Sequence, residues 1–187
     1  MGLLLIEQAF NGLQFGVMLF LIAAGLTLVF GIMDLVNLSH GSLVMVGAYL
    51  ATTLIEWTGS FILGILLALP STFLVGVAVE IVVLRTLYER DHLDQVLATF
   101  GLILFFNELI RIVWGPASLY SGLPESISGH VEILPGVPYP AFRLLIILVG
   151  LLVALLIYFI VARTKLGMLI RAGASNREMA GVLGVNI

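Results

Sequence analysis

Cysteine is absent from the 187 residues, which excludes disulfides, thiol catalysis and cysteine-ligated metal sites. Charge is also scarce: 10% of residues are Asp, Glu, Lys or Arg, against about a quarter in soluble domains. Eight basic residues against eleven acidic, a formal net charge of -3, are too few cations to form a nucleic-acid face. The signatures GxSxG, HExxH, GxxxxGK(S/T) and GxGxxG do not occur, so hydrolase chemistry and nucleotide binding have no carrier on this chain. No nucleophile, base and orienter assemble among the polar groups either, and the chain reads as non-catalytic. If ATP is used, another chain binds it.

What is abundant is apolar surface. Hydrophobic residues make up 61% of the chain, which requires lipid as solvent and gives an all-α, polytopic membrane helix bundle. Five segments have roughly the length of a crossing: residues 15–33, 38–54, 61–84, 96–114 and 142–162. The first is not preceded by a basic region, Glu7 being the only charge before Asp34, so it reads as a retained helix and not a cleaved signal. The second, 38–54, reaches only about 25 Å against a hydrocarbon core of roughly 30 Å. Chain entering it without helical hydrogen bonds has to be sheltered by protein or line a water-filled cavity.

The linkers sort the two sides. Arg85 and Arg90 lie in the link 85–95, and Arg163, Lys165, Arg171 and Arg177 follow the fifth segment, so six of eight basic residues share a side. That side is expected to be cytoplasmic, which places the N-terminus outside and residue 187 inside. The opposite side receives the stretch 115–141, whose prolines at 116, 124, 135, 138 and 140 prevent any long helix.

Polar residues within the apolar segments are few. Ser60, Gly64, Ala68, Thr72, Gly76 and Glu80 recur every four residues in the third segment, a narrow strip against which another helix is expected to pack. Pro70 interrupts the same helix near its middle. Glu80 has Arg85 within reach, and Glu108 and Arg111, three residues apart, are positioned for a structural ion pair.

Two polar stretches are candidate sites. In GIMDLVNLSHG, Asn37 or Ser39 can accept an amide hydrogen bond at the start of the second helix, Gly41 permits close backbone approach, and His40 can cap, bridge helices or meet substrate. Local structure and a transport path both remain open readings. One histidine with no second histidine or nearby carboxylate is a poor metal site. In the tail RTKLGMLIRAGASNREMAGVLGVNI, residues 163–187, Ser175 and Glu178 form a capping-box pattern that predicts a short helix from Asn176. Met179, Val182 and Leu183 give it an apolar face and Gly184 a stop. At about eight residues such a helix is marginal alone in water, so it is expected to dock on another surface.

Three separated stretches carry a family resemblance: GLTLVFGIMDLVNLSHGSLVMVGAYLA at residues 25–51, FGLILFFNELIRIVWGP at 100–116, and TKLGMLIRAGASNREMAGVLGVNI at 164–187. Together they resemble the branched-chain amino acid ABC transporter permeases, specifically the LivH-type subunit, over essentially the whole chain. The resemblance implies a permease domain of a bacterial or archaeal plasma membrane importer. A second related permease, two cytoplasmic ATP-binding subunits that carry ATP and magnesium, and an extracytoplasmic solute-binding protein complete it. It implies that residues 171–185, with Arg171, Ser175, Arg177, Glu178, Met179, Val182 and Leu183, form the ATPase-coupling segment. It also implies that Asn37, Ser39, His40 and Gly41 line or support the central path. Similar permeases import branched-chain amino acids, while relatives carry urea, short amides or other small polar solutes; a non-transporting membrane assembly subunit is the other reading. Family members continue beyond the coupling segment through further spans, so residues 1–187 are expected to be the N-terminal part of one larger transmembrane domain, with 163–187 its cytoplasmic coupling segment.

Overall fold

The computed structural model describes residues 2–33, 35–88, 90–117, 119, 122–124, 127–134, 137–175 and 177–182. Its contacts divide into two compact units, one of residues 33–122 and one of residues 1–32 with 123–187.

The first unit is three helices: α2 (His40–Thr58), α3 (Phe61–Val82) and α4 (His92–Trp114), with one 3-10 turn, Leu84–Leu87, between the last two. Helices α2 and α3 form a hairpin across a two-residue link. Gly59 ends α2 with φ of 63°, a left-handed conformation that costs glycine least. The Ser60 hydroxyl then accepts the Leu63 amide at 3.5 Å to start α3. The expected small-residue strip is where the two helices meet. A Cβ on Gly64 would lie 2.6 Å from the Ile55 Cα, and one on Gly47 would lie 3.1 Å from Thr72 Cγ2; Ala68 is buried between these levels. Helix α3 continues through Pro70. Its Glu80 carboxylate accepts the Tyr88 hydroxyl, a local partner in place of Arg85, which is exposed. Helix α4 is pinned to α2 by Trp114, whose Nε1 donates to Thr53 Oγ1 at 2.8 Å while its ring packs 5.4 Å from Tyr49. Leu35, Val46, Val79, Leu84, Leu87, Phe106 and Ile110 form the core.

The second unit contains α1 (Gly2–Met33), a β-hairpin of β1 (His130–Leu134) and β2 (Val137–Pro140), then α5 (Ala141–Arg163), α6 (Lys165–Ser175) and α7 (Arg177–Val182). The strands pair antiparallel, His130 opposite Pro140 and Val131 opposite Tyr139, with an irregularity between Glu132 and Leu134. A two-stranded sheet leaves one edge of each strand unpaired, so Pro138 and Pro140 forfeit little by lacking an N–H. Tyr139 is fully buried, its hydroxyl donating to Asn11 Oδ1 at 3.1 Å and its ring 5.6 Å from Phe10. Arg143 Nη1 donates to the same Asn11 oxygen at 2.7 Å. Deeper along α1, Val17 fills the place that a Cβ on Gly150 of α5 would take.

Among the described residues four helical stretches are long and apolar enough to cross a membrane: Leu4–Gly31, Phe61–Leu87, His92–Trp114 and Ala141–Arg163. No more than 22% of any of their apolar windows is buried, so their Leu, Phe and Ile side chains face outward, as lipid-solvated helices require. The protein is therefore an all-α polytopic membrane bundle with these four helices and additional ones. Helix α2, 19 residues with Thr52, Thr53, Glu56 and Thr58 in its last two turns, is not among the four. The first helix begins at Gly2, well before residue 15, because nothing in residues 2–14 breaks a helix. The short helix expected from Asn176, a residue outside those described, has its counterpart in α7, and the tail carries an additional helix before it, α6 from Lys165.

Candidate functional site

The stretch between α1 and α2 is not helical over residues 35–39, and three of its residues are nonetheless buried, Leu35 and Ser39 at 0% exposed and Asn37 at 4%, while Val36 is half-buried and Leu38 exposed. Buried backbone outside regular structure needs partners for its polar groups. Asn37 supplies one from within, its Oδ1 accepting the Ser39 amide at 3.0 Å and the Ser39 hydroxyl at 2.7 Å, an Asx turn. Of the two candidate acceptors it is thus Asn37 that accepts. Ser39 occupies the position before α2 without a side-chain cap bond, and its carbonyl accepts the Leu43 amide at 3.1 Å.

The other partners come from α4. Gln95, 3% exposed, accepts the Val36 amide on Oε1 at 3.1 Å. Its Nε2 donates to the Leu87 carbonyl at 3.2 Å and the Arg90 carbonyl at 3.1 Å. The Thr99 hydroxyl sits 2.7 Å from the Gln95 carbonyl and 3.4 Å from the Val36 carbonyl. His40, the first residue of α2, is half-buried, and Gly41 is exposed. A Cβ on Gly41 would meet nothing within 4 Å, so close approach does not explain this glycine within the unit. Asp34 lies outside the described residues.

The second candidate region begins where α5 ends. The Thr164 hydroxyl donates to the Ile160 carbonyl at 2.6 Å and accepts the Gly167 amide at 3.1 Å, closing α5 and capping α6 with one side chain. A Cβ on Gly167 would collide with the Ile160 and Val161 carbonyl oxygens. Arg171 reaches back from α6, Nη1 donating to the Val161 carbonyl at 2.6 Å, which satisfies an orphan acceptor at a helix C-terminus. Leu166, Met168 and Leu169 of α6 and Met179 and Val182 of α7 are exposed. Ser175 is the last residue of α6 and exposed; Asn176, the Arg177 and Glu178 side chains and Leu183 lie outside what is described.

Glu108 and Arg111 sit one turn apart on α4 with both side chains exposed. Among the described residues there is no group of three or more His, Asp or Glu able to hold a metal ion. Both candidate regions offer hydrogen-bonding and apolar surface.

The sequence model of the family described as "Branched-chain amino acid transport system / permease component" matches residues 8–187. The chain belongs to this family. It is 29% identical over 194 residues to the high-affinity branched-chain amino acid transport system permease protein BraD of Pseudomonas aeruginosa, covering 97% of this chain and 62% of that protein. It is 26% identical to the corresponding permease LivH of Escherichia coli K12, with the same two coverages. A probable LivH permease of Methanocaldococcus jannaschii is 28% identical, over 91% of this chain and 55% of that one. The chain thus spans less than two thirds of the length of these curated relatives. No solved structure matches it.

For this permease-family chain, the residues that sequence reasoning missed are Gln95 and Thr99. Both are uncharged side chains near the start of an apolar helix, and only their contacts 59 and 63 residues away reveal what they hold. Asn11 was missed for the same reason, its partners Tyr139 and Arg143 being 128 and 132 residues distant.

Proposed function

We propose that the chain is a membrane-spanning, non-catalytic permease subunit of an ATP-driven importer for branched-chain amino acids. In this reading it forms the translocation path with a second permease, while separate ATP-binding subunits hydrolyse ATP and an extracytoplasmic protein delivers the solute. The observation that carries the reading is the family match across residues 8–187, supported by relatives named for branched-chain amino acid transport. The partly buried, non-helical stretch 35–39 fits a path-lining or path-supporting role for Asn37, Ser39, His40 and Gly41, since non-helical backbone at membrane depth is tolerated only where protein shelters it or it lines a cavity. The exposed apolar side chains Met179 and Val182 fit docking of α7 on an ATP-binding subunit, with Arg171, Ser175, Arg177, Glu178 and Leu183 around it. The pairing of Glu108 with Arg111 completes the residue assignments.

In the proposed topology residues 1–187 belong to one transmembrane domain of a plasma membrane, α2 is a fifth crossing, the N-terminus is outside, and 163–187 is the cytoplasmic coupling segment. The six-to-two distribution of Lys and Arg supports that orientation. Because the chain has no cysteine, single cysteines at Ser60, Ser128 and Ser175 report directly: an impermeant maleimide should reach the first two from outside and the third from inside, and the reverse pattern overturns the orientation. The transport assignment is tested by reconstituting the complete permease with its ATPases and binding protein. Leucine uptake that needs ATP and the binding protein is the expected result; uptake of urea or short amides in place of leucine, or leucine uptake driven by an ion gradient alone, overturns it. In that system His40→Ala should impair uptake more than assembly, and normal uptake at normal abundance removes His40 from the path.

A further inference from the structure

The proposed function leaves Gln95 without a role, yet it is the most fully engaged polar side chain on α4. It is 3% exposed and bonds in two directions at once. Toward α2 its Oε1 takes the Val36 amide, and toward the end of α3 its Nε2 donates to both the Leu87 and Arg90 carbonyls. The Val36 amide and the Arg90 carbonyl lie outside regular structure, and the Leu87 carbonyl also accepts the Arg90 amide at 3.1 Å. The link from α3 to α4 is otherwise tied down as well: Leu84 and Leu87 are buried in the same core as Leu35, and Tyr88 donates to Glu80. Its outer face, in contrast, presents Arg85, Arg90 and Asp91 to solvent.

We infer that Gln95 is a positioning residue that clamps the partly buried stretch 35–39 to the charged link between α3 and α4, so that a push on the link displaces the candidate path directly. This inference rests on the proposed function and deepens it. In the proposed orientation the link faces the cytoplasm, where ATP-binding subunits work, and the clamp gives that side a mechanical connection to Asn37 and Ser39 that does not pass through α7. A hydrogen-bonded amide suits the task because it holds an amide donor and two carbonyl acceptors with one planar group. No apolar residue of that size can hold either.

The test uses the complete permease assembled with its ATPases and binding protein, comparing Gln95→Met, which removes both sides of the clamp, with Gln95→Glu, which keeps an acceptor for Val36 and removes the donors to the link. Amide hydrogen exchange at residues 35–39 should rise about fivefold or more in Gln95→Met, the loss expected for a hydrogen bond, and stay near wild type in Gln95→Glu. Both variants should move less solute per ATP hydrolysed, by about fivefold or more for Gln95→Met, at unchanged membrane abundance. A purely structural role predicts instead that abundance falls while surviving complexes keep the wild-type ratio, and that result overturns the inference. Should Gln95→Met fail to accumulate, Gln95→Glu decides: wild-type transport per ATP in that variant also overturns it. A wild-type complex that moves no leucine would refute the substrate reading while hydrogen exchange at 35–39 still reports on the clamp.

Discussion

The two helix joints that carry the candidate residues are built in opposite ways. The joint before α2 is buried and held from a distance, by a side chain 59 residues away in sequence. The joint between α5 and α6 is held by Thr164, Gly167 and Arg171, the farthest bond spanning ten residues, and leaves apolar side chains pointing outward. The first can exist only when α2, α3 and α4 have assembled. The second forms with α5 itself and keeps a surface for something else. A buried polar joint specifies one geometry because its unsatisfied alternatives are costly, whereas a local elbow fixes an angle and leaves its partner open.

The largest expected effect breaks the assembled joint at its support. Gly64→Leu drives side-chain atoms into the Ile55 backbone, 2.6 Å from the nearest Cα, and should cost about 3 kcal/mol, the upper part of the overpacking range. Its readout is loss of folded protein in the membrane, measured by detergent-resistant abundance. Gly76→Leu, where a Cβ meets nothing within 4 Å, should accumulate normally; equal losses from the two substitutions would show that the α2–α3 contact does not decide folding. The next effect belongs to the open surface beyond the local elbow. Leu183→Asp in the complete permease should weaken retention of the ATP-binding subunits by about 2 kcal/mol, roughly thirtyfold, as for a lost interface hot spot, with normal insertion. Normal retention and normal stimulated hydrolysis would return the tail to an ordinary connection.

Smaller effects sharpen the contrast. Thr164→Val removes the shared cap of α5 and α6 and should lower stability there by about 1 kcal/mol, seen as faster proteolysis after Arg163, while Thr164→Ser retains the hydroxyl and stays near wild type. A Thr164→Val protein as resistant as wild type would mean that Arg171 and Gly167 suffice. The smallest change is expected from Ser175→Ala, about 0.5 kcal/mol at an exposed helix boundary, measured by the same proteolysis. A loss larger than that from Thr164→Val would place the more important cap at the start of α7.

Much of the bundle was legible because the physical signal is one-dimensional. Apolar runs of crossing length located α3, α4 and α5 to within a few residues, and the four-residue repeat of small side chains in α3 marked the face that meets α2 at Gly64, Ala68 and Thr72. Asn37 was legible as a local acceptor because an Asx turn spans two residues. Gln95 was not, since an amide at the start of an apolar helix looks like an interfacial polar residue until its distant partners are known. The β-hairpin was hidden by its own prolines, which argue against a strand unless the strand is an edge. The short helix expected from Asn176 has its counterpart in α7 (Arg177–Val182), whereas α6 before it was not legible, because its cap, Thr164, bonds backward and forward at once.

The length of α1 has a further consequence. Its candidate span Leu4–Gly31 is 28 residues, about 42 Å of helix against a hydrocarbon thickness of roughly 30 Å, and the excess lies in the first turns, where Glu7, Gln8, Asn11 and Gln14 interrupt the apolar run. The helix must place those polar first turns in the headgroup layer or carry them out past the acyl chains. Asn11 is the fixed point in that choice, because Tyr139 and Arg143 grip it from the base of the hairpin and the start of α5. The β-hairpin is therefore anchored to the polar first turns of α1 and shares their depth.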